Sequence, residues 1–209
     1  MKYLSIAILV AMASIFCADA GEKKKKLHYH VLLFAGQSNM VGMRSDPRAL
    51  PLNENDRKIK FACVTFLPGI TVCRPGHTIE GSTLARNTDK WETLRPMRGA
   101  IEGGWAESDK QTRKPWFHDG YANSWGYGPE IQCARRWQKE VWENVAVIKY
   151  AIGGTRLATP PARWNAPGGQ LYADMLTLIR KRLNELTEQG HSYEIKLLAW
   201  CQGESDRCS

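Results

Sequence analysis

Three short apolar segments, each followed by a glycine-containing or polar turn, constrain the fold of this 209-residue chain more than any other feature. A continuous or nearly continuous apolar run of this length is typical of a strand buried on both faces, as in a parallel sheet. The three predicted strands are residues 31–35 (VLLFA), 145–151 (VAVIKYA) and 195–200 (IKLLAW). The turns that follow them are residues 36–39, 153–155 and 202–206.

Two amphipathic helical segments separate the predicted strands. The first opens at Gly128-Pro129-Glu130, where proline takes the first helical position and a carboxylate lies in the first turn. Its apolar residues then recur at helical spacing as far as Val145. The second helix is predicted over about 171–189 and stops at Gly190. Strands that alternate with helices predict an α/β fold with helices on both faces of the sheet.

The carboxyl ends of the strands are where such sheets bind ligands. We therefore expect the three polar turns to meet at one rim. Residues 70–127 show little periodicity and are rich in Gly, Trp, Arg and Asp. A segment this long is unusual in a compact domain unless it has a function. Its tryptophans either pack it against the core or line a sugar site, and they are Trp91, Trp105, Trp116 and Trp125.

The N-terminus has the pattern of a secretory signal peptide. Lys2 precedes an apolar run over 4–16, and small residues occupy the −3 and −1 positions before Gly21. The alternative is an uncleaved membrane anchor, but the run is shorter than the roughly 20 residues that span a bilayer, which favours the signal peptide. We expect a signal peptide at 1–20, a basic tail at 21–27 and one domain at 28–209, without a stable membrane anchor. The expected location is secreted or periplasmic.

Charge and cysteine content limit the possible partners. The formal net charge is +8, but four consecutive lysines over 23–26 supply half of it, and no basic stripe interleaved with aromatics follows. We therefore expect no nucleic-acid partner. Cys63 and Cys73 flank a predicted hairpin around Pro68-Gly69, and a disulfide between them is an open alternative. No CxxC or Cys/His spacing favours zinc, so we expect neither a metal nor a cofactor.

Ser38 is a candidate nucleophile because it lies in a glycine-rich turn directly after a predicted buried strand. Such a turn exposes the hydroxyl, and backbone N–H groups at the start of the next helix can bind an oxyanion. Serine and asparagine are also ordinary helix caps, so spacing alone leaves both interpretations open.

Five sequence blocks together resemble the SGNH hydrolases, and more narrowly the sialate O-acetylesterase and acetylxylan-esterase branch of carbohydrate esterases. The blocks, in order, are 36–42 (GQSNMVG), 128–130 (GPE), 151–157 (AIGGTRL), 164–172 (WNAPGGQLY) and 200–206 (WCQGESD). The resemblance covers about residues 28–206. It implies a three-layer α/β/α sandwich with a flavodoxin-like parallel sheet. It also implies a metal-free serine esterase that removes acetyl groups from carbohydrates.

The resemblance assigns roles to individual residues. Ser38 would attack the ester carbonyl, and the oxyanion hole would comprise the N–H groups of Ser38 and Gly128 and the side-chain amide of Gln202. Glu204 would orient the catalytic base or a binding group, with bonding to local backbone as the alternative. The remaining cleft residues, expected to bind substrate, are Gln37, Asn39, Gly153, Gly154 and Thr155.

The expected base is missing from this sequence. In the family that it resembles, the base is a histidine in an Asp-x-x-His segment after the last strand, and no such segment occurs in the 209 residues. None of the five histidines is a convincing replacement, and they are His28, His30, His77, His118 and His191. We therefore expect a sandwich that lacks its last strand and helix, and a poorly active chain. The alternatives are a catalytically inactive carbohydrate-binding protein and a non-functional truncated fragment. Sialic acid, xylan and other acetylated glycans all remain possible substrates.

Overall fold

A five-stranded sheet flanked by helices forms the centre of the protein. The computed structural model describes residues 25–42, 45, 50–51, 53–65, 87–95, 127–157, 164 and 169–208. The strands are β1 (His28–Gly36), β2 (Lys60–Val64), β3 (Glu92–Thr93), β4 (Val145–Ala151) and β5 (Ser192–Cys201). The helices are α1 (Ser38–Val41), α2 (Glu130–Glu140) and α3 (Gln170–Glu188), with 3-10 turns at Glu54–Lys58 and Glu204–Cys208.

The strand order is β3-β2-β4-β1-β5. β2, β4, β1 and β5 are mutually parallel, whereas the two-residue β3 pairs antiparallel with β2 at the edge. This topology confirms the α/β prediction and its parallel sheet, and it adds an antiparallel edge strand that the sequence pattern did not indicate.

The segment around Cys63 forms a central parallel strand of the sheet. Cys63 lies in β2, where it pairs with Lys149 of β4 and is fully buried. The hairpin turn at Pro68-Gly69 and the partner Cys73 lie outside the described residues, so the disulfide stays a prediction. Most of the 70–127 segment also lies outside the described residues. Its Trp91 is described and packs against the core, as the packing interpretation predicts.

Both predicted helices are present, with one boundary shortened. α2 ends at Glu140, and Val141 at the helix end is 55% exposed. Val145 therefore does not belong to the apolar stripe of α2 but begins β4. Val145 is apolar because it is buried in the sheet, and an apolar residue at the end of a helical pattern can equally begin a buried strand. α3 ends at Glu188, close to the predicted stop at Gly190, which has a φ of +80°.

Two apolar layers enclose the sheet. One packs alternate residues of β1 and β4 against α3, and the other packs the opposite faces against α1 and α2. β4 is buried along its whole length. Among the described strands, β5 pairs only with β1, and it leaves Ile195, Leu198 and Trp200 46%, 58% and 41% exposed. In the described part of the chain, no helix is long and apolar enough to cross a membrane.

Candidate active site

Ser38 lies at the carboxyl end of the sheet, where β1 ends and α1 begins. The turn brings β1 very close to the end of β5. Gly36 has a φ of +150°, and a Cβ built on it would lie 1.9 Å from the carbonyl oxygen of Cys201. Only glycine fits this close approach. The N–H of Gln37 then donates to the same carbonyl oxygen at 3.0 Å, which fixes the backbone that presents Ser38.

The carboxylate of Glu204 binds both side chains that flank Ser38. Gln37 donates from Nε2 to Oε2 of Glu204 at 2.5 Å, and Asn39 donates from Nδ2 to Oε1 at 2.6 Å. A carboxylate that accepts two such bonds orients both of its donors. Glu204 therefore orients two of the predicted binding residues and, through them, the turn that carries Ser38.

Partial burial acts to raise the pKa of Glu204, but hydrogen bonds from Gln37, from its own backbone and from Asn39 outweigh this effect and lower the pKa. These bonds stabilise the ionised carboxylate. Gln37 is buried, and its Oε1 accepts a further hydrogen bond from Ser205 at 2.8 Å. Gln37 is thus part of the support beneath Ser38, whereas Asn39 is exposed at the rim.

Gln202 follows β5 and reaches across to the turn after β4. Its Nε2 donates to Oγ1 of Thr155 at 3.1 Å. The same hydroxyl accepts from Nε1 of Trp164 at 2.8 Å and donates to the carbonyl oxygen of Ile152 at 2.7 Å. A threonine hydroxyl with one donor and two acceptor bonds has its full set of partners. Thr155 is buried and positions Gln202 and Trp164 from below.

The two glycines before Thr155 form the tight turn after β4. Gly153 is buried, and Gly154 adopts a φ of +73° that favours glycine. Just before them, the N–H of Ile152 donates to the carbonyl oxygen of Gly36 at 3.0 Å. The turns after β1, β4 and β5 therefore meet at one rim, as the alternating pattern predicted.

Gly128 lies against α1, but its N–H is already engaged. It donates to Oε1 of Glu130 at 3.2 Å, and the residue is buried. A Cβ on Gly128 would lie 2.3 Å from the carbonyl oxygen of Met40, so glycine is required for the approach to α1. An oxyanion role for this N–H requires it to leave Glu130 or to share its hydrogen.

A buried ion pair that the sequence analysis did not identify lies behind this site. Nζ of Lys149 lies 2.8 Å from Oε1 of Glu130, and both side chains are 0% exposed. Nζ also donates to the carbonyl oxygen of Val41, the last residue of α1, at 3.0 Å. The pair connects β4, α2 and the helix that begins with Ser38. Its only sequence signal is a lysine inside an otherwise apolar strand.

The three histidines that the structure describes lie at the other end of the sheet. His28 and His30 lie in the amino-terminal part of β1, and His191 immediately precedes β5. The N–H of Leu27 donates to Nδ1 of His191, which places all three at the amino-terminal edge. His77 and His118 lie outside the described residues.

Comparison with known proteins assigns the chain to a family. A profile of the family described as "Carbohydrate esterase, sialic acid-specific acetylesterase" matches residues 87–209, more than half of the chain. The chain belongs to this family. The matched part of the chain contains β3 to β5, α2, α3, Gly128 and the 200–206 block, while Ser38 precedes it. No curated protein gives a significant match.

Two solved structures are similar to this chain. One is a protein from Arabidopsis thaliana, with 20% identity, a TM-score of 0.43, and coverage of 85% of this chain and 58% of that chain. The other is NanS, with 19% identity, a TM-score of 0.47, and coverage of 87% and 55% respectively. The chain thus spans a little more than half the length of each of these proteins.

Proposed function

We propose that this member of the carbohydrate esterase family is a serine hydrolase that removes O-acetyl groups from carbohydrates through an acyl-enzyme on Ser38. The observation that carries the proposal is the position of Ser38. It lies at the ligand-binding rim of the sheet, and Glu204 fixes the side chains on both sides of it. Within the described residues, its own hydroxyl has no hydrogen-bond partner, so it is available to a substrate.

The proposed chemistry is acyl transfer. The Ser38 oxygen attacks the acetyl carbonyl, the sugar hydroxyl leaves with a proton, and water then releases acetate from the serine. The Ser38 N–H opens α1 and has no acceptor within that helix. Together with the Gln202 amide it would stabilise the developing oxyanion. Gly128 joins them only if its N–H is released from Glu130.

The mechanism also needs a base that accepts the Ser38 proton, and none of the described histidines is in position to do so. The six steps along β1 from His30 to Gly36 span about 20 Å at ~3.3 Å per residue, far beyond hydrogen-bond reach. None of the described histidines can therefore accept the Ser38 proton, and we propose that acylation by the purified chain is slow. Added imidazole should accelerate it by accepting the serine proton.

The test compares acetate release by the purified chain, Ser38→Ala and Thr177→Ala, with O-acetylated sialic acid and acetylated xylan as substrates. Thr177 is the matched control, because its hydroxyl is exposed on α3 and, among the described residues, bonds only to the Ala173 carbonyl. The expected result is imidazole-dependent release that disappears in Ser38→Ala and persists in Thr177→Ala. Equal release by Ser38→Ala, with or without imidazole, would contradict the proposal.

The distance between the described histidines and Ser38 also favours a second candidate, a sugar-binding protein without turnover. Calorimetric titration with the same acetylated glycans distinguishes the two. Saturable binding with no acetate release, even with imidazole, supports the binding protein.

Export is part of the proposed function, with residues 1–20 removed as a signal peptide. Those residues lie outside the described part of the chain. N-terminal sequencing of protein recovered from the medium or periplasm should begin at Gly21, and a start at Met1 would contradict the export proposal.

A further inference from the structure

Two histidines and a glutamate lie side by side at the edge of the sheet opposite Ser38. His28 and His30 are two residues apart on β1, so their side chains share one face of the sheet. The register of β1 and β5 places Glu194 directly beside His30. One ligand atom from each residue can be chosen so that all three lie within 4.8 Å of one another.

The surroundings hold both imidazole rings in place. Nδ1 of His28 is 2.9 Å from Oγ of Ser192, which leaves Nε2 of His28 free to bind a ligand. Trp142 stacks on the His30 ring, with centroids 4.9 Å apart and an interplanar angle of 19°. Its Nε1 also donates to the backbone carbonyl of His28 at 2.8 Å. Contacts of this kind orient the imidazole ligands of metal sites.

The ligand set is suited to a borderline metal ion. Two neutral imidazoles and a carboxylate bind Zn²⁺ and its first-row neighbours, and three protein ligands leave a position for water. The opposing charge is Lys196, whose Nζ lies 2.6 Å from Oε1 of Glu194. A metal ion would have to take this carboxylate from the lysine.

We propose that His28, His30 and Glu194 form a binding site for a divalent transition-metal ion, with Zn²⁺ as the reference ligand. The site ties the start of β1 to the start of β5. It was not predicted from the sequence, because spacing rules for zinc consider Cys and His close along the chain, whereas Glu194 is 164 residues from His30.

Metal binding must also alter the environment of Trp137. Its Nε1 donates to Nδ1 of His30 at 3.1 Å, so the neutral ring carries its proton on Nε2. Coordination through Nε2 moves that proton to Nδ1, with no net proton release from the ring. The Trp137 N–H then loses its acceptor. Tryptophan fluorescence should therefore change as the site fills.

The experiment titrates the metal-free full chain with ZnCl₂, followed by calorimetry and tryptophan fluorescence. One site should fill, and at a free Zn²⁺ concentration 100 times Kd the Tm should rise by about 5–10 °C. His28→Ala and Glu194→Gln should each weaken binding by at least about tenfold. His191→Ala is the matched control, since His191 lies at the same edge outside the cluster, and its Kd should be unchanged.

Lys196→Met makes the test independent of damage to the fold. Removing the competing ammonium should tighten Zn²⁺ binding by about two- to fivefold, the range expected for losing an exposed ion pair. Circular dichroism and the metal-free Tm should match those of the wild-type chain. Equal Zn²⁺ affinity in Glu194→Gln, or weaker binding in Lys196→Met, would overturn the proposal, and so would the absence of saturation below millimolar Zn²⁺.

Discussion

Replacing Lys149 with methionine tests the buried ion pair behind Ser38. Methionine keeps the length and the apolar stem of the side chain but removes the ammonium group. The Glu130 carboxylate is then left without its cation at 0% exposure, and the Val41 carbonyl loses its donor. The pair lies between three elements, so the loss is expected to affect the whole domain.

The magnitude follows from burial. Removing one partner of a buried, hydrogen-bonded pair costs about 3–5 kcal/mol, because the remaining charge stays in a low-dielectric interior. For a chain of 150–250 residues, each kcal/mol lowers the Tm by about 2–4 °C. Lys149→Met should therefore lower the Tm by roughly 6–20 °C. Glu130→Gln should cost less, since the amide still accepts a hydrogen bond from Lys149.

A double-mutant cycle in urea provides the measurement. The free energies of unfolding of Lys149→Met, Glu130→Gln and the double variant should be strongly non-additive, with the double variant no less stable than Lys149→Met, because it leaves no unpaired buried charge. The matched control is Arg136→Met, which removes a pair with Glu140 at 2.9 Å whose side chains are 79% and 49% exposed. It should cost less than about 0.5 kcal/mol. A cost below ~1 kcal/mol for Lys149→Met, or additivity of the two single changes, would refute the reasoning.

Three further predictions concern residues at the rim of the sheet where Ser38 lies. Gly36→Ala should destabilise the domain by more than the ~1–3 kcal/mol of backbone strain alone, because the added Cβ would collide with the Cys201 carbonyl. Gly190→Ala is the control, because Gly190 also has a positive φ, +80°, but open space around the added Cβ. Thermal unfolding of the two variants measures the difference. The pKa of Glu204 is lowered in the folded protein, so its contribution to stability is present above about pH 4.5 and is lost as the pH falls through the pKa of the folded state. In urea unfolding at a series of pH values, Glu204→Gln should flatten that part of the stability profile. Gln202→Ala should lower the rate of acetate release by ~10²–10³-fold in the imidazole-supplemented assay, and an unchanged rate would remove Gln202 from the oxyanion hole.

The elements that depend on neighbouring residues could be predicted from the amino-acid sequence. The apolar runs of β1 and β4 indicated buried parallel strands, and Gly128-Pro129-Glu130 marked the start of α2 within a residue. The position of Ser38 at the rim followed from the same local pattern. Such features are readable because burial periodicity, caps and turn residues act over a few positions along the chain.

Contacts between residues far apart in the sequence depend on how the strands and helices pack. Glu204 bonds to Gln37, 167 residues away, and this contact depends on β5 lying beside β1. The lysine of β4 gave no indication that its partner would be Glu130, because an ion pair at 0% exposure requires two elements packed over it. The grouping of His28 and His30 with Glu194 depends on strand order and register, which no local pattern specifies.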